Sequence, residues 1–196
     1  MADALAAGAA RTLPEVPSRI ETACLVIRAP RAGDGEVVYE SVRQSLAHLR
    51  AWPASLPWAL AEPSVARSEQ FCRRGAASWQ SRSDFPMLLF LKGGNRHVGC
   101  TGLHRVDWTV PTMEVGYWCH REFQGQGLVS EAVRAVVGLA CGRLGVRRLT
   151  CLTEVENLPS RRVAERAGFV LEQVMRHERV TPGGELRDTC LYAIAR

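Results

Sequence analysis

Gly125 and Gly127 stand in the run Arg121-Glu-Phe-Gln-Gly-Gln-Gly-Leu-Val-Ser-Glu-Ala-Val133, and their type and spacing suit the binding of an anion. Glycine reaches backbone angles closed to other residues and lets a ligand approach the main chain closely. The first amides of a helix that follows have no intrahelical acceptor and sit in the positive end of its dipole. Phosphate oxygens suit such a place, although a tight turn without a ligand would use the same two residues. Two familiar phosphate loops do not fit. The Rossmann fingerprint needs a third glycine near Ser130, and the Walker loop needs a Gly-Lys-Ser/Thr that is absent. Other residues able to do chemistry flank the glycines: the carboxylate Glu114, the thiol of Cys119, and the pair Asn157 and Ser160.

These residues need elements to hold them. Met113-Glu-Val-Gly-Tyr-Trp-Cys119 alternates as a strand, which puts Glu114 on one face with Gly116 and Trp118 and opposite Val115 and Tyr117. After the glycines, apolar pairs at Leu128/Val129, Ala132/Val133, Val136/Val137 and Ala140/Cys141 predict a helix to about Leu144. A strand at 147–153 then lies parallel to 112–119, because a helix joins them. Asn157 to Ala167 reads as a short helix, with Pro159 tolerated in its first turn and Gly168 as its stop. Asn157 and Ser160 suit its N-terminus as capping residues.

Upstream, residues 22–28 predict a first strand closed by Pro30, and Gly33-Asp34 a helix start with Asp34 as cap and Val37, Val38, Val42 and Leu46 on one face. His48 to Trp58 is broken by prolines and carries Trp52 and Trp58, which either plug the edge of the core or line a pocket. A second helix runs from Ser64 to about Trp79, Met87 to Leu91 is a central strand, and Gly93-Gly-Asn95 turns the chain into its partner at 96–103. The chain closes with a hairpin, 170–180 and 186–195. The order β-α-α-β-β-β-α-β-α-β-β predicts an α/β (α+β) domain with a mixed sheet and helices on both faces.

Phe123-Gln-Gly-Gln-Gly-Leu-Val-Ser-Glu-Ala132, preceded by Glu114-Val-Gly-Tyr-Trp118, resembles the acyl-CoA pyrophosphate loop of the GNAT acetyltransferase superfamily. Glu156-Asn-Leu-Pro-Ser-Arg-Arg-Val-Ala-Glu-Arg-Ala-Gly-Phe169 resembles that superfamily's second signature, in the expected order and separation. The resemblance spans residues from about Leu25 to Tyr192 and is nearest to the RimJ/RimL group, which acetylates protein amino termini, with some relatives acting on small amines. It implies the GNAT fold, a mostly antiparallel mixed sheet whose parallel middle strands splay to admit the pantetheine arm of acetyl-CoA. It further implies that Tyr117, Trp118 and Cys119 pair with that arm. Gln124, Gly125, Gln126, Gly127, Leu128 and Val129 would hold the pyrophosphate, and Asn157 would hydrogen-bond the pantetheine.

Transfer of acetyl from a thioester to an amine needs a positioned neutral amine, a proton acceptor and a donor for the departing thiolate. Glu114 is the first candidate base, since many GNAT enzymes keep a glutamate on this strand, with His177 and Glu178 in reserve. By the same resemblance Ser160 would serve the CoA sulfur. Trp52, Trp58 and Glu178 are expected to line the acceptor cleft, and His48 to be structural. The sequence departs from the wider superfamily at Ala164, where many members carry a tyrosine acid, and this moves the donor role to Ser160. Glu122 replaces the arginine or glutamine that often opens the loop.

With 196 residues, a single domain over 19–196 behind a flexible leader at 1–18 is expected. No apolar run approaches the roughly twenty residues that cross a bilayer. The first ten residues carry Asp3 and no basic leader, so neither a membrane partner nor a signal peptide is read, and the expected location is cytoplasmic. The seven cysteines are scattered with no Cys-x-x-Cys pair, so no metal is expected. Cys119 could serve as an acyl carrier, but nothing near it in sequence marks an activating base. The net charge of +5 comes almost wholly from arginine, with Lys92 the single lysine; it suits polyanionic CoA. No dense basic run suggests direct nucleic-acid binding. The leading expectation is an acetyl-CoA-dependent N-acetyltransferase acting on a protein or peptide amino terminus. The alternatives are a small-amine acetyltransferase and a CoA-binding regulatory domain without turnover; a homodimer is compatible with either.

Overall fold

The computed structural model describes residues 13–196. Most of the expected leader lies outside the described residues. Its last part is tied down: the Leu13 carbonyl accepts from the Arg82 guanidinium at 2.7 Å, and Val16 packs on the core.

Eight strands form one sheet in the order β1-β2-β3-β4-β5-β6-β8-β7. They are β1 (Arg19–Glu21), β2 (Leu25–Arg28), β3 (Phe85–Leu91), β4 (His97–Asp107), β5 (Thr112–Cys119), β6 (Arg148–Glu154), β7 (Val170–Val180) and β8 (Leu186–Ala195). Every neighbouring pair is antiparallel except β5 and β6. The helices are α1 (Gly35–Leu49), α2 (Val65–Ser81), α3 (Leu128–Gly138) and α4 (Leu158–Arg166). This is the mixed, mostly antiparallel sheet with one parallel pair expected from the sequence.

The continuous apolar run of β3 is explained by a core on each side of the sheet. Met87 and Leu89 join the larger core with α3, whereas Leu88 and Phe90 join the smaller one under α1 and α2. A strand covered on both faces has no polar side to show. Truncation of such a residue, Leu89→Ala for example, costs about 2–5 kcal/mol.

Three expectations are corrected in detail. The first strand, expected at 22–28, is a hairpin of β1 and β2. Thr22 at its turn accepts the Leu25 amide on Oγ1 at 3.0 Å, so the chain reverses within the stretch expected to be one strand. Asp34 precedes α1 but makes no side-chain cap; its carboxylate is taken by a bidentate pair with Arg28, at 2.7 Å on each oxygen, and by the Arg31 amide. The long helix stops being α-helical at Gly138 and continues as a π-helical turn over Leu139–Arg143. Ser64 caps α2 by accepting the Arg67 amide at 3.2 Å.

Candidate active site

β5 and β6 pair only at Thr112↔Arg148, Met113↔Leu149 and Glu114↔Thr150. Beyond Glu114 the two parallel strands part, leaving the main chain of Val115 to Cys119 without a partner on that edge. A cavity of about 960 Å³ opens there. It is lined by Glu114, Tyr117, Trp118 and Cys119 on one side, by Asn157 and Ser160 on the other, and by Gln124, Gly125, Gly127, Leu128 and Val129 at one end.

The glycine loop takes the geometry its residues allow. Gly125 and Gly127 have φ of +73° and +77°, a region that favours glycine. A methyl group on either would meet no atom within 4 Å, so the main chain borders open space at the start of α3. Arg162 and Arg166, a helical turn apart on α4, also line the cavity, and neither forms an ion pair among the described residues. Exposed guanidiniums and free helix amides suit phosphate oxygens. The residues therefore fit a polyphosphate ligand whose arm enters between β5 and β6. The two arginines escaped the sequence reading, although their i, i+4 spacing was visible.

Asn157 caps α4, its Oδ1 accepting the Ser160 amide at 3.1 Å. The Ser160 hydroxyl donates to the Tyr117 phenol oxygen at 3.3 Å, and that phenol donates to the Ser160 carbonyl at 2.8 Å. Burial pushes the Tyr117 hydroxyl well above its usual pKa, so it stays protonated. Ala164 is fully buried on the inner face of the same helix. A phenol thus reaches the start of α4 from β5.

Two bulges set the carboxylates. The β4–β5 register shifts between His104 and Asp107, with Arg105 at φ +50°, and the Arg105 guanidinium meets Glu114 Oε2 at 3.3 Å. The β7–β8 register shifts between Met175 and Arg179, with His177 at φ +52° and its amide donating to Asp188 at 2.8 Å. Glu178 follows on the cavity wall, accepting from Thr189 Oγ1 at 2.8 Å. A bulge of this kind re-aims a side chain. His177, the other reserve candidate, does not line the cavity, whereas His48 does.

Trp52 lines this cavity, but Trp58 and Gln126 do not. Gln126 turns back to donate to the Glu122 carbonyl at 2.9 Å. Trp58 is 46% exposed, lies against Trp118 with ring centroids 6.0 Å apart, and lines a second cavity of about 840 Å³ beneath α1 and α2. The cavities share Ser55, Leu56, Gly116, Tyr117 and Trp118. The wall at 52–57 is pinned from across the cleft, its Ser55 amide donating to Glu154 at 2.9 Å and its Ala54 carbonyl accepting from Arg179 at 3.2 Å. Burial pushes the Cys119 thiol up to about 11, so it is not a ready nucleophile.

The parted parallel pair, the glycine loop at a helix start and the antiparallel flanks define an α/β domain with its cleft between two splayed parallel strands. Residues 25–170 match the family described as "Acetyltransferase (GNAT) domain", and the chain belongs to that family.

The ribosomal-protein-serine acetyltransferase of Escherichia coli (strain K12) is 31% identical over 121 residues, covering 60% of this chain and 65% of that protein. YdaF of Bacillus subtilis (strain 168) is 32% identical over 98 residues, covering 50% and 53%. The chain thus spans about half to two thirds of the length of these relatives. Among solved structures, the microcin C7 self-immunity acetyltransferase MccE in complex with acetyl-CoA and AMP superposes with a TM-score of 0.82 at 22% identity, covering 93% of this chain and 99% of that one. RimL, the ribosomal L7/L12 α-N-protein acetyltransferase in complex with coenzyme A, gives 0.81 at 24% identity, covering 89% and 95%. At these identities the likeness concerns the fold.

Proposed function

We propose that the chain transfers an acetyl group from acetyl-CoA to a primary amine, by preference the α-amino terminus of a protein or peptide. The observation that carries this reading is the parting of β5 from β6 after Glu114, with the glycine loop and Ser160 on its borders. Acetyl-CoA brings the activated thioester. The protein's part is to bind it, to position the amine and to move protons.

On this reading the amides and arginines at α3 and α4 hold the phosphates, and the open edge of Val115 to Cys119 pairs with the pantetheine amides. Ser160, whose hydroxyl donates to the Tyr117 phenol at 3.3 Å in the free protein, turns its proton to the departing sulfur. Glu114 and Glu178 place two carboxylates on the cleft wall for an ammonium group to meet, each of them shared with an arginine. The second cavity carries Arg67 and Arg74 against the single carboxylate Glu62. That balance favours a peptide amino terminus over a polyamine.

Product mass after incubation with acetyl-CoA and a panel of amines tests the proposal. One added acetyl on unblocked peptides supports it. Gain confined to small amines moves the acceptor class, and binding of acetyl-CoA with no product from any acceptor points to a regulatory domain.

A further inference from the structure

His104 lies at the end of the regular β4–β5 pairing, and its setting is built. Its Nδ1 meets Asp84 Oδ1 at 2.6 Å. When the Nδ1 proton lies between ring and carboxylate, Nε2 of the neutral ring carries the lone pair. Among the described residues Nε2 has no hydrogen-bond partner. His104 lines the second cavity, in company with Gly116, Tyr117 and Trp118, three of the five residues that this cavity shares with the first.

The ring is bedded on two glycines that face each other across the strands, Gly102 and Gly116. A methyl on Gly102 would come within 2.7 Å of Nε2, and one on Gly116 within 3.4 Å of it. Neither glycine has the positive φ that would by itself demand the residue type. The space they leave holds the imidazole edge against the part of β5 where the parallel pairing has ended.

Resting on the acetyl-transfer reading above, we propose that His104, oriented by Asp84, is the proton acceptor for the incoming amine, which enters through the second cavity. The ammonium gives one proton to His104 Nε2 and becomes a nucleophile. Its nitrogen bonds the thioester carbonyl carbon as the carbon–sulfur bond breaks. The second nitrogen proton leaves with the sulfur through the Ser160 hydroxyl, giving the thiol, and the His104 proton passes to solvent. One amide, one thiol and one proton result. Asp84 stabilises the imidazolium while it lasts, the role a carboxylate takes beside a catalytic histidine. The charged groups around it are Asp84 before β3, Arg105 beside it, Glu114 across on β5, and Glu62, Arg67 and Arg74 around the cavity.

The experiment uses the whole chain with acetyl-CoA and the best peptide acceptor from the panel. His104→Ala and Asp84→Asn are compared with wild type for turnover, acetyl-CoA affinity by calorimetry, and turnover with added imidazole. Expected is a fall in kcat of about a hundredfold for His104→Ala, the scale of general-base catalysis. Acetyl-CoA affinity should be unchanged, free imidazole should recover part of the rate, and Asp84→Asn should show a smaller fall in kcat. Unchanged turnover in His104→Ala overturns the assignment and leaves acetyl transfer standing. Loss of acetyl-CoA binding together with turnover, without imidazole rescue, shows a structural role and also overturns it. Should His104→Ala not fold, full activity in Asp84→Asn has the same effect. A wild-type chain that does not bind acetyl-CoA removes the reading on which the proposal rests, and the proposal with it.

Discussion

The Tyr117 phenol and the Ser160 main chain are joined by a 2.8 Å hydrogen bond across the mouth of the parted strands, and the Ser160 hydroxyl donates back to the same phenol at 3.3 Å. Two residues from different signatures thereby form one unit, which fixes the first turn of α4 to β5. Cys151 on β6 adds a weak donation to the same phenol oxygen at 3.6 Å.

Removing that phenol tests the unit. Tyr117→Phe leaves the Ser160 carbonyl and hydroxyl short of a partner in a half-buried place, which costs about 1 kcal/mol. A lower unfolding midpoint in denaturant and a reduced kcat are expected, with the first measured on the free protein. Equal stability of the two proteins would mean that water replaces the phenol at no cost.

Ser160→Ala keeps the Asn157 cap, which takes the backbone amide and not the hydroxyl. Turnover should fall by about tenfold or more while acetyl-CoA affinity by calorimetry stays near that of wild type. A wild-type rate would remove Ser160 from the chemistry.

Gly127 faces open space at φ +77°, so two effects must be separated there. Gly127→Val adds bulk and also the cost of left-handed backbone, about 1–2 kcal/mol. Gly127→Asn adds bulk with less strain, since asparagine tolerates that region. Both should weaken acetyl-CoA binding, but only the valine variant should lose much thermal stability. Retained affinity in the asparagine variant would place the phosphates elsewhere.

Glu154 is fully buried; it accepts the Ser55 amide on Oε1 and holds Oε2 at 3.9 Å from Arg187 Nε. Glu154→Ala removes the acceptor of the Ser55 amide and frees the wall at 52–57, while Arg187 keeps its pair with Glu185 at 2.7 Å. A stability loss of about 1–3 kcal/mol is expected from leaving the Ser55 amide without its acceptor. KM for the acceptor should rise more than KM for acetyl-CoA. Equal rises in both would show that the wall does not shape the acceptor side.

Burial pushes the His97 imidazole down to about 3, with His120 a lesser cause. The unfolded chain takes up this proton near the usual value of about 6.5. Between those values the unfolded state binds more protons, so stability is full above about 6.5 and is lost as pH falls towards 3. His97→Leu removes this contribution. The fall in melting temperature from about pH 7 to about pH 4 should then be shallower than in wild type. An identical slope would assign acid sensitivity to other groups.

The sequence by itself determined the strand, glycine loop and helix around Gly125 and Gly127, because period-2 and period-3.6 patterns and glycine's backbone freedom are local properties. It determined the Asn157 cap and the closing hairpin for the same reason. Local pattern failed where a partner from elsewhere in the fold decided the outcome. Asp34 suits a cap by type, yet Arg28 from the preceding strand takes its carboxylate. Trp58 looked like a companion of Trp52, but packing on Trp118 puts it over the second cavity. Ala164 marked an absent tyrosine, and nothing in the linear pattern said that Tyr117 would bring a phenol to the same helix from another strand. The tertiary structure alone also decided that Asp84 meets His104 over two facing glycines. Hydrogen bonds between residues distant in sequence depend on register and bulges, and those are fixed only when both faces of the sheet are packed.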